Sequence, residues 1–150
     1  MSPSPPDWTI DTNVLYKAAS VDMNAVSFLM TIFKERHIVT FDTEGRIERE
    51  YRNCIEKTRI EGGNELVKKW FIEVVGKLAY KFSGRLSQRH QRSLRKLAFD
   101  RSDWPFVAVC SMALSKHLVS DDSDYHDNIK SYLKSSMHIN VLSTQEAADL

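Results

Sequence analysis

The sequence predicts an α/β fold of three layers, with helices on both faces of a central parallel sheet of about four strands. Three observations carry this expectation. Four short stretches are rich in β-branched and aromatic residues: Trp8-Thr9-Ile10, His37-Ile38-Val39-Thr40-Phe41, His117-Leu118-Val119-Ser120 and His138-Ile139-Asn140-Val141-Leu142. The segments between them carry apolar residues at helical spacing. Strands that alternate with helices pair in parallel through right-handed crossovers. Finally, 150 residues at 42% hydrophobic can bury a core without disulfides or a structural metal.

The elements follow in order. Residues 1–6 hold three prolines and read as a short extended tail before one domain of residues 7–150. The first strand ends at Asp11, and Val14 to Ala19 form a helical turn. Ala25, Phe28, Leu29, Ile32 and Phe33 mark a second helix over about 23–36, which leads into the second strand. Ile47, Tyr51, Cys54, Ile55 and Thr58 mark a third helix over roughly 44–59, and Gly62-Gly63 breaks the chain. Leu66, Val67, Trp70, Phe71, Val74, Val75 and Leu78 give a fourth helix that ends near Gly84. Ser87 caps a basic helix through about Phe99. Ser102-Asp103 with Pro105 starts an apolar helix that carries Phe106, Val107, Val109, Cys110, Ala113 and Leu114. The third strand, a polar stretch and the fourth strand follow, and Thr144 caps a last short helix.

Composition excludes several classes. No stretch reaches the roughly 18 apolar residues of a membrane span. The start lacks the basic flank and apolar stretch of a signal peptide, so a soluble, cytoplasmic protein is expected. Cys54 and Cys110 sit in apolar-periodic segments and read as reduced core residues without zinc spacing. The five histidines show no ligand spacing and read as surface or core. No serine-hydrolase or zinc-enzyme motif is present. Net charge is +1, which is neutral on nucleic acid. Its distribution is not: Lys81, Arg85, Arg89, Arg92, Arg95, Lys96 and Arg101 share a window whose one acid is Asp100. Such a segment suits a polyanion.

The acids carry the chemistry. Asp11 follows the first strand, Glu50 lies in the third helix, Asp103 precedes a helix, and Asp121, Asp122 and Asp124 follow the third strand. Ligands of parallel sheets bind outside the carboxyl ends of the strands, where Asp11 and Asp122 fall. Helix capping also explains Asp11 and Asp103 taken singly. Glu48 and Glu50 flank the apolar stripe on its two sides, and pattern does not separate them. Three acids within four residues repel one another, and turn chemistry explains only one or two of them. Carboxylates without thiols or imidazoles suit Mg²⁺ or Mn²⁺ and phosphoryl chemistry. A metal-free site of this kind should hold at least one carboxyl of raised pKa.

Four segments in this order resemble the PIN-domain family of ribonucleases: Ile10-Asp11-Thr12-Asn13-Val14-Leu15; Ile47-x-x-Glu50-Tyr51; Ser102-Asp103-Trp104-Pro105-Phe106-Val107-Ala108-Val109; and Leu118-Val119-Ser120-x-Asp122-x-Asp124-Tyr125. The resemblance spans Thr9 to Leu142 and favours Glu50 over Glu48. It implies a Mg²⁺- or Mn²⁺-dependent endoribonuclease that leaves a 5′-phosphate and a 3′-hydroxyl. The size is that of the toxin half of a VapC-like toxin–antitoxin pair. On this reading Asp11, Glu50 and Asp103 hold a divalent ion, and Asp122 with Asp124 completes the site or supports a second ion. Asn13 and Ser120 orient ligands. Arg85, Arg89, Arg92, Arg95, Lys96 and Arg101 meet the RNA backbone or receive an acidic antitoxin tail. Trp104 and Tyr125 flank the site and either stack on a base or pack. The fourth helix, with Trp70 and Phe71, is a candidate homodimer surface. Three other readings compete. A haloacid-dehalogenase-like phosphatase wants an Asp where Asn13 stands. A receiver domain wants a late lysine. A catalytically silent PIN-type module would keep binding alone.

Overall fold

Five strands lie parallel in one sheet in the computed structural model, which describes residues 5–59 and 64–150. They are β1 (Asp7–Ile10), β2 (Ile38–Asp42), β3 (Ala79–Phe82), β4 (His117–Val119) and β5 (Asn140–Leu142). Their order is β3-β2-β1-β4-β5, with Trp8 opposite Val39 and Ile10 opposite Val119. The central strand β1 is buried along its whole length, as a strand covered on both faces must be.

Eight helices surround the sheet among the described residues: α1 (Thr12–Ala19), α2 (Met23–Glu35), α3 (Arg46–Lys57), α4 (Asn64–Glu73), α5 (Gln88–Lys96), α6 (Trp104–Met112), α7 (Asp127–Met137) and α8 (Thr144–Ala148). Helices α1 to α4 pack on one another, and α8 packs on α2. Helix α6 crosses the strands, and α7 lies against β5. Residues Trp104 to Cys110 of α6 are all buried, which is why its sequence is apolar all round rather than striped. Cys54 and Cys110 are free and buried in the core. No helix among the described residues is long and apolar enough to cross a membrane.

The sheet has five strands rather than about four. The unexpected one is β3, which the apolar pattern absorbs into the fourth helix. That helix ends at Glu73 and widens into a π-turn over Val74–Leu78, and the chain then becomes strand without a proline or polar break. Strand β3 sits at the sheet edge with Tyr80 and Lys81 exposed, so it lacks the continuous apolar run of a central strand. Helix α7 occupies the expected polar stretch. Its apolar stripe is narrow, with only Ile129, Leu133 and Met137 buried at intervals of four. Helix α8 is capped by Ser143, which forms a capping box with Glu146, and Thr144 is its first residue. Ser87 caps α5 as expected, by accepting from the His90 amide. The expected tail falls mostly on residues 1–4, and the Gly62-Gly63 break on residues 60–63, both outside the described residues.

Trp70 and Phe71 do not form a surface. Both are buried, and the Trp70 indole donates to the Leu29 carbonyl at 2.9 Å. The apolar side chains exposed along this face are Phe33 and Ile72.

Asp42, at the carboxyl end of β2, shows how the sheet launches a helix. It is buried, and its two oxygens accept from the amides of Arg46 at 2.9 Å and Ile47 at 2.8 Å. These are orphan donors of the first turn of α3. The negative charge also suits that helix end. Asp42→Ala is expected to lower the unfolding free energy by about 1–2 kcal/mol, the usual cost of a lost cap. Urea titration checks this; an unchanged midpoint would show that the amides find other partners.

Candidate active site

After β1 the chain proceeds to β2, and after β4 it proceeds to β5, on the other side. The loops leaving the two neighbours β1 and β4 therefore diverge and open a crevice at their carboxyl ends. Asp11 follows β1 and Ser120 follows β4, so both stand in that crevice by topology alone.

Asp11 is 4% exposed. Its amide donates to the Val119 carbonyl at 2.9 Å, and its Oδ2 accepts from the Ser120 hydroxyl at 2.6 Å. It occupies the N-cap position of α1, yet its side chain makes no cap bond. Asp103 stands at the same position of α6 and makes none either. Several polar residues at other helix entries do cap, whereas His126 before α7 does not. Asp22 accepts from Ala25, Asp100 from Ser102, and Ser143 from Glu146. Neither Asp11 nor Asp103 makes the usual cap bond to the second or third amide of its helix, although the Thr12 amide helps to hold down the Asp11 pKa.

Glu50 reaches the crevice through α3. The next residue, Tyr51, is buried and donates its hydroxyl to the Ile10 carbonyl, which pins α3 beside the residue before Asp11. Glu48 points elsewhere and pairs with Arg52 at 3.7 Å. Of the two glutamates, Glu50 is the one whose carboxyl feels the charge of Asp11.

The acidic run after β4 divides in the same way. Asp121 is committed to the fold. It pairs with Lys17 at 3.0 Å and accepts from Thr144 through the amide at 2.9 Å and the hydroxyl at 2.7 Å. Burial raises its pKa, but the Thr144 bonds and Lys17 outweigh that and leave it lowered. Asp122 accepts from the Asp124 amide at 2.9 Å, and its own amide donates to the Ser120 hydroxyl at 3.0 Å. Asp124 is exposed. Asn13 ties the two loops, with its Oδ1 3.4 Å from the Asp121 amide and 3.5 Å from the Ser120 hydroxyl.

Three carboxyls are pushed up in pKa. Asp11 rises to about 6 through burial, with Asp122 and Asp124 adding repulsion, against the hydrogen bonds of Ser120 and the Thr12 amide. Glu50 rises to about 7 through burial and the charges of Asp11 and Asp42. Asp103 rises to about 8 through burial and the charges of Asp11, Asp124, Asp122 and Asp100. Asp11, Glu50, Asp103, Asp122 and Asp124 thus share one electrostatic neighbourhood. They do not form a closed cage: among the described residues, no group of three or more His, Cys, Asp or Glu is arranged to hold a metal ion. All-oxygen donors held this loosely fit a hard, hydrated cation, which keeps several of its waters.

Two recesses adjoin residues of this neighbourhood. One, on the β4 side, is lined by Lys17, Ser120, Asp122 and Lys130. The other, on the β2 side, is lined by Glu50, Arg46, Arg49 and Arg101. The expected basic residues Arg85, Arg89, Arg92, Arg95, Lys96 and Arg101 are all exposed. Helix α5 is held by Leu94 in the core and by the His90 ring nitrogen 2.7 Å from the Tyr132 hydroxyl. Trp104 and Tyr125 pack. Tyr125 is 2% exposed and lies edge-on to Phe99 with ring centroids 5.1 Å apart. Trp104 is 8% exposed, with Arg95 and Arg101 over its ring at 5.6 and 5.4 Å.

Sequence reasoning missed Asp42, Arg46 and Arg49. Asp42 carried a readable signal as an acid at a strand end four residues before a helix. Arg46 and Arg49 were hidden because Glu44, Glu48 and Glu50 alternate with them and cancel their charge in any window. Comparison of the chain with models of protein families, with curated proteins and with solved structures finds no match.

Proposed function

We propose that the chain is a Mg²⁺- or Mn²⁺-dependent endoribonuclease of the PIN type, acting as the toxin half of a toxin–antitoxin pair. One observation carries the nuclease reading. Two aspartates stand at helix entries without making the usual cap bond, and their carboxyls, with Glu50, are raised by burial and mutual repulsion at the switch point of a parallel sheet. Protein folding alone gives no reason to assemble such a site. The toxin reading rests on the four resembling segments.

In this reading Asp11, Glu50 and Asp103 would hold the ion, and Asp122 with Asp124 would complete its surroundings. A bound divalent ion supplies charge neutralisation on the phosphate and a more acidic water. The Ser120 hydroxyl fixes one oxygen of Asp11 and so orients its carboxyl. Tyr51 sets how close Glu50 comes to Asp11. Asn13 holds the β1 and β4 loops in register. The exposed arginines of α5 supply sequence-independent attraction for a phosphate backbone.

The test is cleavage of single-stranded RNA with Mn²⁺. Cleavage is expected with the metal, none with EDTA, and recovery when Mn²⁺ is returned in excess. Cleavage that persists in EDTA sinks the metal-dependent mechanism. The open arrangement of the carboxylates favours one second reading, a PIN-type module that binds RNA without cutting it. RNA binding with no cleavage in Mn²⁺ would establish that reading instead.

A further inference from the structure

We propose that the recess beside Glu50 is a phosphate-binding subsite, in which Arg46, Arg49 and Arg101 hold a backbone phosphate next to the one that is cut. The assignment rests on the ribonuclease reading above and adds to it a site outside the basic helix α5.

The recess measures about 230 Å³, the scale of a small group rather than of a helix or a strand. Its cations come from two separate elements. Arg46 and Arg49 lie three residues apart on α3, with Asn53 four residues further along the same face. Arg101 and Ser102 come from the 3-10 turn Arg101–Asp103 that leads into α6. Three arginines thus line a recess that offers one carboxylate, Glu50. None of the three is in an ion pair among the described residues. Of the other arginines on or next to this helix, Arg52 pairs with Glu48 and Arg59 with Glu56. Unpaired cations that share a recess repel one another, and an anion relieves that cost. A guanidinium presents a planar fork of donors that matches phosphate oxygens in pairs. Arg101 is also restrained, because its guanidinium lies over Trp104 at 5.4 Å. The Asn53 amide and the Ser102 hydroxyl add neutral donors.

Position selects a phosphodiester as the ligand. Glu50 belongs both to this recess and to the acidic crevice, so an anion bound here sits one step from the reacting phosphate. The other recess is less suited to an anion: it holds Asp121, Asp122 and Asp127 beside Lys130, and its Lys17 is paired with Asp121. A side-chain carboxylate of an acidic peptide has the same charge, and it is the alternative that the experiment separates.

The experiment compares the full chain with the double variant Arg46→Gln/Arg49→Gln. Arg46 and Arg49 are exposed, so the variant is expected to keep its fold, checked by circular dichroism and melting temperature. Cleavage of a short single-stranded RNA is followed in Mn²⁺. Binding of the same RNA is followed at several salt concentrations in an Asp11→Asn background. The double variant is expected to bind at least about tenfold more weakly. Its plot of log K against log salt should be shallower by about 0.7, the value of one single-strand phosphate. The Arg46→Lys/Arg49→Lys variant should keep the salt slope but not the full affinity, since an ammonium lacks the fork. Arg52→Gln, whose partner is Glu48, should change neither quantity. Equal RNA affinity and slope in the double variant overturns the subsite while leaving the ribonuclease reading intact. If the unaltered chain neither binds nor cuts RNA, the ribonuclease reading fails and the subsite with it. If the double substitution weakens binding of a polyglutamate peptide but not of RNA, the recess belongs to an acidic protein partner and the proposal is overturned.

Discussion

Asp11→Asn is expected to lower Mn²⁺-dependent RNA cleavage by at least about a hundredfold, the upper end of what residues supporting a metal ligand cost. The same change is expected to make the metal-free chain more stable at pH 8. Both effects come from one fact: a carboxyl placed at 4% exposure among other acids. Asparagine keeps an oxygen that accepts from Ser120, so the local geometry survives. What is removed is the buried charge. Its folded pKa of about 6 lies about two units above the usual 3.8, which corresponds to about 3 kcal/mol of cost once the group is ionised. Cleavage assays and thermal melts of the same two proteins check the pair of outcomes. Cleavage by the variant at the unaltered rate would remove Asp11 from the mechanism. A variant less stable than the parent at pH 8 would contradict the burial argument.

Stability is expected to fall as pH rises from about 4 through 8 without metal, and divalent cations are expected to restore it. The sign follows from proton counts. Asp11, Glu50 and Asp103 have folded pKa values of about 6, 7 and 8, above the ordinary values of 3.8, 4.5 and 3.8. In that window the folded chain holds more protons than the unfolded one, so stability declines with pH until the highest of the three has ionised. His37, His90 and His117, lowered by burial, act in the opposite sense below about pH 6.5. The difference between the parent and Asp11→Asn isolates the acidic site and should widen from pH 5 to pH 8. Mn²⁺ at a hundred times its Kd adds about 2.7 kcal/mol, which in a chain of this size raises the melting temperature by roughly 5–10 °C. At pH 5 protons compete for the same oxygens and the rise should be small. Equal rises at both pH values would show that the ion binds elsewhere.

How much of this was readable from sequence depended on what each signal averages over. Strands β1, β2, β4 and β5 announced themselves by residue type. Strand β3 did not, because an edge strand needs no continuous apolar run and the single Gly76 between it and the helix before it lies within an otherwise mostly apolar stretch. Helix α7 was invisible because three buried residues in eleven do not dominate a window. Within the site, the placement of Asp11 and Asp103 was legible, but the absence of their cap bonds was not, since capping and ligation ask for the same residues in the same place. Asp121 and Asp122 are neighbours in sequence with opposite fates. What separates them is Lys17, 104 residues away from Asp121, and Thr144 beyond the next strand. Arg46 and Arg49 needed the fold to part them from the glutamates they alternate with.

The ties of Asp121 have a mechanical consequence. One wall of the crevice is fixed: Asp11 by Ser120, Glu50 through the Tyr51 bond, and the β4 loop through Lys17 of α1 and Thr144 of α8. The carboxyls of Asp103 and Asp124 accept no hydrogen bond from the described residues, while the backbone that carries them is tied: the Asp103 amide donates to the Asp100 carbonyl and the Asp124 amide to the Asp122 carboxylate. Any tightening around a cation would therefore fall to these two side chains, with the sheet, α3 and the β4 loop staying still.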